Sequence, residues 1–260
     1  MEPFQAFILG VVEGVTEFLP ISSTGHLILV SRLLGIEPTE FLKTFEISIQ
    51  LGAILAVVVL YGRSRLCQGP ILGRVLAAFL PTAILGFLLY RLIKKYLLAD
   101  YILVTWTLCL GGLLLIFFEI WHRERNETIE EIRQMTFKQA IGIGFFQALA
   151  LIPGVSRAAA TIVGGLLLGM KRKTIVEFSF LLAVPTMAAA TGLDLYKNWN
   201  LLNYHQIFIL ALGAVTAFVM AILSIKFLLY FVRNHTFISF GIYRILAAAL
   251  FAYLFGSALK

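Results

Sequence analysis

Two glutamates, Glu13 and Glu17, stand four residues apart inside an apolar segment, Ile8 to Leu19. On a helix that spacing puts both on one face. Carboxylates held among apolar residues are costly and need partners. One reading is a structural pair satisfied by neighbouring backbone or hydroxyl groups. The other is a site for a hard divalent cation, Mg2+ or Ca2+, which takes carboxylate oxygens. Such a cation would let an anionic substrate sit beside two carboxylates and would polarise a phosphoryl oxygen.

Pro20-Ile21-Ser22-Ser23-Thr24-Gly25-His26 follows at once. Proline and small hydroxyl residues suit the start of a new helix, with Ser or Thr at the N-cap. Free N–H groups at a helix start suit phosphate, so Ser22, Thr24 and Gly25 are expected substrate-binding groups. Ser23 is the expected nucleophile. His26, one helical turn on, is the expected base for its hydroxyl proton. Three alternatives stay open: attack by His26 itself, attack by Ser22, and attack by a metal-bound water.

Pro153-Gly154-Val155-Ser156-Arg157 repeats the device with an arginine. An arginine between apolar stretches demands an anion. That anion is either a ligand phosphate or, in the resting state, Glu13 or Glu17. Thr161 lies four residues on, on the same helical face, and Ser156 beside it; both are expected to bind substrate. Glu46 and Gln50 share a face and either line the same cavity or join helices. Asp194, near a helix end, and Arg244, able to snorkel, read as structural.

These residues sit in a chain with too little charge for a soluble surface. Of 260 residues 60% are hydrophobic and 13% charged, and the mean hydropathy is +0.93. Long apolar runs of this kind are transmembrane helices. The net charge of +7 comes from basic residues scattered between the runs, which argues for loop charges and against nucleic acid. Cys109 lies in an apolar run and Cys67 in a basic loop, so no disulfide is expected. Met1 to Ala6 has no basic n-region, so insertion through the chain's own helices is expected.

The expected fold class is all-α: a polytopic membrane protein with six transmembrane helices and two re-entrant helical hairpins. The spans are Phe41–Tyr61, Val75–Ile93, Ile102–Trp121, Ile175–Tyr196, Gln206–Leu229 and Phe237–Leu259. Trp106, Trp121 and Trp199 read as interfacial anchors. Two further apolar segments, Phe4–Leu34 and Lys138–Met170, are each broken at a proline motif. Their lengths, about twice a half-span, favour hairpins over kinked spans.

The broken segments resemble each other. Gln5-Ala6 aligns with Gln139-Ala140, Glu13 with Gln147, and Pro20 with Pro153 after a one-residue slip. Both segments end in Leu-Leu-Gly. Gln147 is therefore grouped with the substrate-binding residues. Three spans follow each hairpin, and an odd number inverts the second copy. The expected organisation is one membrane domain, residues 1–260, built from inverted repeats 1–122 and 137–260 around a cytoplasmic linker near 123–136.

On this topology one side receives twelve basic residues: Arg63, Arg65, Arg74, Arg123, Arg125, Arg133, Lys138, Lys171, Arg172, Lys173, Lys226 and Arg233. The other receives six: Lys43, Arg91, Lys94, Lys95, Lys197 and Lys260. The first side is assigned to the cytoplasm, so the termini and the first hairpin mouth face outward.

Glu13-Gly14-Val15-Thr16-Glu17-Phe18-Leu19-Pro20-Ile21-Ser22-Ser23-Thr24-Gly25-His26 closely resembles the first signature of the bacterial undecaprenyl-diphosphate phosphatases of the bacitracin-resistance type. Pro153 to Arg157, through Thr161, resembles the second signature. Phe178-Ser179-Phe180-Leu181-Leu182-Ala183-Val184-Pro185 is also similar to that family, and the likeness covers nearly the whole chain in order. One departure is visible: the family's Ser-Arg-Ser-Gly-Ala-Thr is here Ser156-Arg157-Ala158-Ala159-Ala160-Thr161, without the hydroxyl at 158.

The resemblance implies hydrolysis of undecaprenyl diphosphate to undecaprenyl phosphate and inorganic phosphate, recycling the lipid carrier of cell-wall synthesis. It also implies an inner-membrane enzyme that uses a divalent cation and opens to the periplasmic side. Its partners would be a long-chain isoprenoid diphosphate lipid and the bilayer; a homodimer is left open.

A transporter or flippase of an anionic lipid is the main rival, since inverted repeats and broken helices typify that class. The hydroxyl, imidazole and carboxylate groups on one short stretch argue against it, because binding alone does not require them. A phosphatidate-phosphatase-like mechanism needs a second histidine in a suitable setting, which His122, His205 and His235 do not provide.

Overall fold

The computed structural model describes residues 1–62, 65, 68–93, 101–122 and 129–255. Cys67, Arg63, Lys94, Lys95, Arg123, Arg125, Lys260 and linker residues 123–128 lie outside the described residues. Cys109 is a free thiol.

The described residues are helical apart from short connections and a single bridge, Ile129 to Met170. Eleven α-helices follow in order among them: α1 (Pro3–Thr16), α2 (Ser23–Leu33), α3 (Glu40–Ser48), α4 (Gln50–Tyr61), α5 (Gly69–Leu92), α6 (Tyr101–Trp121), α7 (Phe137–Ala148), α8 (Arg157–Leu167), α9 (Arg172–Asn198), α10 (Tyr204–Phe231) and α11 (Ile238–Phe255). Helices α3 and α4 run on as one span, so six stretches are long and apolar enough to cross a membrane: Glu40–Tyr61, α5, α6, α9, α10 and α11. The chain is a multi-pass membrane protein. Its outer surface carries exposed large apolar side chains such as Phe87, Leu88, Phe117 and Leu246, as a lipid-facing surface requires. Trp106, Trp121 and Trp199 are exposed on it.

Span boundaries differ from expectation mainly at α5, which starts at Gly69 rather than Val75. Pro70 suits a helix start, and Arg74 ties these first turns across the fold. Its guanidinium donates to Met135 O and to Arg133 O (2.7 Å).

Each short broken segment forms two helices with an irregular link. Helix α1 packs on α10 and α2, and α7 packs on α5 and α8. The two segments use the same devices at one common offset. Ser22 caps α2 by accepting from Gly25 N (3.3 Å), and Ser156 caps α8 by accepting from Ala159 N (3.1 Å). No one-residue slip remains at these caps. Gln5 Nε2 donates to Leu34 O (3.3 Å), and Gln139 Nε2 donates to Leu168 O (3.0 Å).

Both Leu-Leu-Gly sequences close their helices in the same way. Gly35 (φ 65°) and Gly169 (φ 85°) take the left-handed conformation. Ile36 N then bonds Ser31 O, and Met170 N bonds Gly165 O, which ties off carbonyls the helix leaves free.

Candidate active site

Helix α1 ends at Thr16, and Glu17 is its C-cap. The chain turns through Phe18 to Ser22 and restarts at Ser23. This brings Glu17 back over the start of α2, where Ser23 Oγ donates to Glu17 Oε2. The other carboxylate oxygen, Oε1, accepts from Arg157 Nη2 at 2.8 Å. One buried carboxylate therefore joins a serine hydroxyl at the start of α2 to an arginine at the start of α8.

Arg157 is held on its far side. Its Nη1 donates to Ser179 O (2.8 Å) and Ser179 Oγ (3.1 Å), and its charge lies 5.7 Å from the centre of the Phe18 ring. Thr161 Oγ1 meets Ser179 Oγ at 2.7 Å and donates to Arg157 O at 2.9 Å. Thr161 thus buttresses the helix that carries Arg157 instead of pointing along with it.

Glu17, Ser23 and Arg157 border a cavity of about 540 Å³. Glu17, Ser22, Ser23, Thr24, Gln147, Ser156 and Arg157 all line it, with Gln50. The rest of its wall is mostly apolar, from Phe79, Ala83 and Phe87 of α5 and Met187, Ala190 and Leu193 of α9. Gln147 donates from Nε2 to Thr82 Oγ1 (2.9 Å) and to Thr186 Oγ1 (3.2 Å). Its amide joins two hydroxyls that each follow a proline inside a span, Pro81 in α5 and Pro185 in α9.

Glu13, Gly25, His26 and Thr161 do not line the cavity. His26 is expected to serve Ser23, but its ring nitrogens are taken elsewhere. Nδ1 lies 2.7 Å from Ser22 O and Nε2 lies 2.9 Å from Tyr243 OH. The helical spacing that puts His26 one turn beyond Ser23 also puts it four residues after the Ser22 carbonyl, and the imidazole takes that acceptor.

Glu13 is fully buried, and neither carboxylate oxygen receives a hydrogen bond. It lies within interaction range of Glu17, Arg157 and Glu46. Acceptor oxygens left without donors fit a hard cation beside Glu17. Among the described residues no group of three or more His, Cys, Asp or Glu gathers. A cation held there would have only these two protein carboxylates, with Glu17 already accepting from Ser23 and Arg157, and would need further positions filled by water or phosphate.

Sequence alone gives no role to Ser179, Thr82 or Thr186. Ser179 had a signal, a lone hydroxyl in Phe-Ser-Phe. Thr82 and Thr186 had one too, the Pro-Thr pair repeated in two apolar spans. Asp194, at a helix end, is buried and accepts from Tyr90 OH at 2.9 Å.

Arg244 does not snorkel. It is 1% exposed and donates to four carbonyls: Pro20 (3.3 Å), Thr107 (3.1 Å), Leu108 (3.3 Å) and Gly154 (3.0 Å). Thr107 Oγ1 adds a bond to Pro153 O at 2.7 Å. Irregular backbone away from water needs such partners, and here one guanidinium serves both broken loops.

The fold and this site define a multi-pass membrane protein with an acid–hydroxyl–guanidinium centre at two helix starts, opening into an apolar cavity. Residues 6–250 match the model of a family described as bacitracin resistance protein BacA, and the chain belongs to that family. It is 55% identical over 251 residues to an undecaprenyl-diphosphatase of Sulfurihydrogenibium sp. (strain YO3AOP1), covering 96% of this chain and 98% of that protein. It is 49% identical over 255 residues to the undecaprenyl-diphosphatase of Aquifex aeolicus, covering 98% and 99%. It is 51% identical over 254 residues to that of Wolinella succinogenes, covering 97% and 98%.

Proposed function

We infer that the chain is an undecaprenyl-diphosphatase that releases inorganic phosphate and leaves undecaprenyl phosphate. The observation that carries this reading is the Glu17 carboxylate shared between the Ser23 hydroxyl and the Arg157 guanidinium, on the wall of a mostly apolar cavity. A diphosphate head suits these polar groups and an isoprenoid tail the apolar remainder.

Ser23 Oγ attacks the terminal phosphorus, and its proton passes to Glu17, which already accepts its hydrogen bond. The bond from that phosphorus to the bridging oxygen breaks, and the lipid monophosphate leaves. Arg157 transfers from Glu17 to the phosphoryl oxygens as they gain charge. The N–H groups at the start of α2 receive the same oxygens. Glu17 passes the Ser23 proton to the departing lipid phosphate. Water then attacks the phosphoserine and gives a proton to Glu17, the bond from phosphorus to Ser23 Oγ breaks, Glu17 returns the proton to Ser23, and inorganic phosphate departs. Glu13 and Glu17 are the groups that would hold a divalent cation, Mg2+ or Ca2+, which when bound would polarise a phosphoryl oxygen. Ser22, Thr24, Ser156 and Gln147 shape the pocket around the head.

Two inverted repeats with re-entrant hairpins are the organisation proposed for the chain. The matched caps, matched glutamine bonds and matched helix endings of the two broken segments support it. The proposed setting is the bacterial inner membrane, with the cavity open to the periplasmic side, on the loop charge balance. Purified protein given a long-chain isoprenoid diphosphate should release one phosphate per lipid. Binding and transbilayer movement of the lipid without phosphate release would instead leave a transporter.

A further inference from the structure

His26 is buried beside the site but does not face the cavity. Its two ring nitrogens meet partners of different kinds, and the partners fix the proton. Ser22 O, 2.7 Å from Nδ1, is a carbonyl and can only accept, so Nδ1 carries the hydrogen. A neutral imidazole has one N–H, so Nε2 is bare and accepts from the Tyr243 hydroxyl at 2.9 Å. The two rings are stacked, with centroids 5.5 Å apart and planes 8° from parallel, so Tyr243 sets the imidazole plane as well as its tautomer.

The carbonyl that His26 grips belongs to an unusual residue. Ser22, at φ 73° and ψ 96°, is the one non-glycine residue with positive φ among those described. A residue with a Cβ persists in that region only when its surroundings hold it there. Its carbonyl accepts from His26 Nδ1 and from His26 N (3.2 Å), and its hydroxyl accepts from Gly25 N (3.3 Å). This turn reverses the chain after Ile21, so that Ser23 opens α2 with its hydroxyl on Glu17.

We propose that Tyr243 is a positioning residue: its hydroxyl locks His26 as the Nδ1–H tautomer, and His26 in turn holds the left-handed Ser22 turn that presents Ser23 to Glu17. His26 acts through Ser22 and takes no proton from Ser23. The proposal rests on Ser23 being the attacking hydroxyl.

The test combines a spectroscopic and a kinetic arm. Nitrogen-15 NMR of histidine-labelled protein, with His26→Ala to assign one of the four histidines, reads the tautomer directly. Wild-type His26 should show a protonated Nδ1 and a hydrogen-bonded, bare Nε2. Tyr243→Phe keeps the ring stack and removes the hydroxyl; it should shift the Nε2 signal and admit the second tautomer. Its kcat should fall roughly threefold to tenfold with KM unchanged, the scale of one lost hydrogen bond.

His26→Asn places an amide N–H where Nδ1 stands. It should keep about a tenth of wild-type turnover or more, well above His26→Ala. An Nε2–H tautomer or an imidazolium in the resting protein would overturn the proposal. So would an unchanged kcat in Tyr243→Phe, or equal loss in the Asn and Ala variants. Full turnover by Ser23→Ala would instead sink the serine mechanism, while the tautomer result would stand by itself.

Discussion

Glu17→Gln isolates the charge of one carboxylate oxygen pair without changing its shape. Glu17 Oε1 accepts from Arg157 Nη2 at 2.8 Å, and Oε2 accepts from Ser23 Oγ. Only one orientation of the amide avoids N–H facing N–H. Its oxygen must meet the guanidinium, so its NH2 group meets Ser23. The serine then accepts a hydrogen bond where it previously donated one, and its proton has no destination.

Loss of a positioned base costs about 10²- to 10⁴-fold in rate, which is about 2.7–5.5 kcal/mol of barrier. The Arg157 bond survives, and so do both bonds from Arg157 to Ser179. The guanidinium nevertheless loses its counter-ion, so a stability cost approaching the ~3–5 kcal/mol of a buried charge left unpaired is expected. The assay is phosphate release from a long-chain isoprenoid diphosphate in detergent micelles, with thermal unfolding of the same preparations. The expected result is kcat down by at least about 100-fold, with KM little changed and a lowered unfolding temperature in a protein that still folds. A folded Glu17→Gln protein within about tenfold of wild-type turnover would refute the argument, and the base would have to be sought elsewhere.

Four further outcomes are expected. Ser23→Ala should lose turnover, and acid quenching of wild-type protein with labelled substrate should trap phosphoserine at Ser23; an acid-labile adduct on His26 would redirect the attack. Arg157→Lys keeps the charge but loses the planar fork that spans Glu17 and Ser179, so kcat should fall about tenfold, and Arg157→Ala further, with equal rates in all three proteins assigning Arg157 to structure. Glu13→Gln should raise the concentration of Mg2+ or Ca2+ needed for half-maximal activity, and an unchanged metal titration in an active variant would remove Glu13 from the cation site. Gly154→Ala forces a side chain onto a residue at φ +86°, with its Cβ against Thr107 and 2.9 Å from Val104 O; the unfolding temperature should drop by an amount equivalent to more than about 1 kcal/mol.

The spans were readable because hydrocarbon thickness imposes a length on an apolar run, and that signal is local. Their ends were less readable. Helix α5 opens on Gly69-Pro70, residues that sequence alone reads as a turn, and Arg74 ties these first turns to the carbonyls of residues 133 and 135. The charged residues of the site were legible for the same reason the spans were: Glu13, Glu17 and Arg157 are conspicuous among apolar neighbours. Their pairing was only half legible. Spacing along α2 pointed from Ser23 to His26, yet the chain reversal at Phe18 to Ser22 carries Glu17 back onto the serine, and a reversal has no periodicity to read. Tyr243 gave no signal at all, since an aromatic in a span is ordinary. Arg244 gave a signal with two solutions, outward to the interface or inward to carbonyls. Only the packing of α11 on α6, which brings Arg244 to the Pro20 and Gly154 carbonyls, selects the second.

The carbonyls of Pro20 and Gly154 wait for a guanidinium 224 and 90 residues further along the chain. A ribosome makes the two loops long before it makes Arg244. Until α11 is in place, both loops lack the guanidinium that serves their carbonyls in the folded chain. A chain that stops short of α11 carries Glu17, Ser23 and Arg157 without the bracket that ties their two loops together.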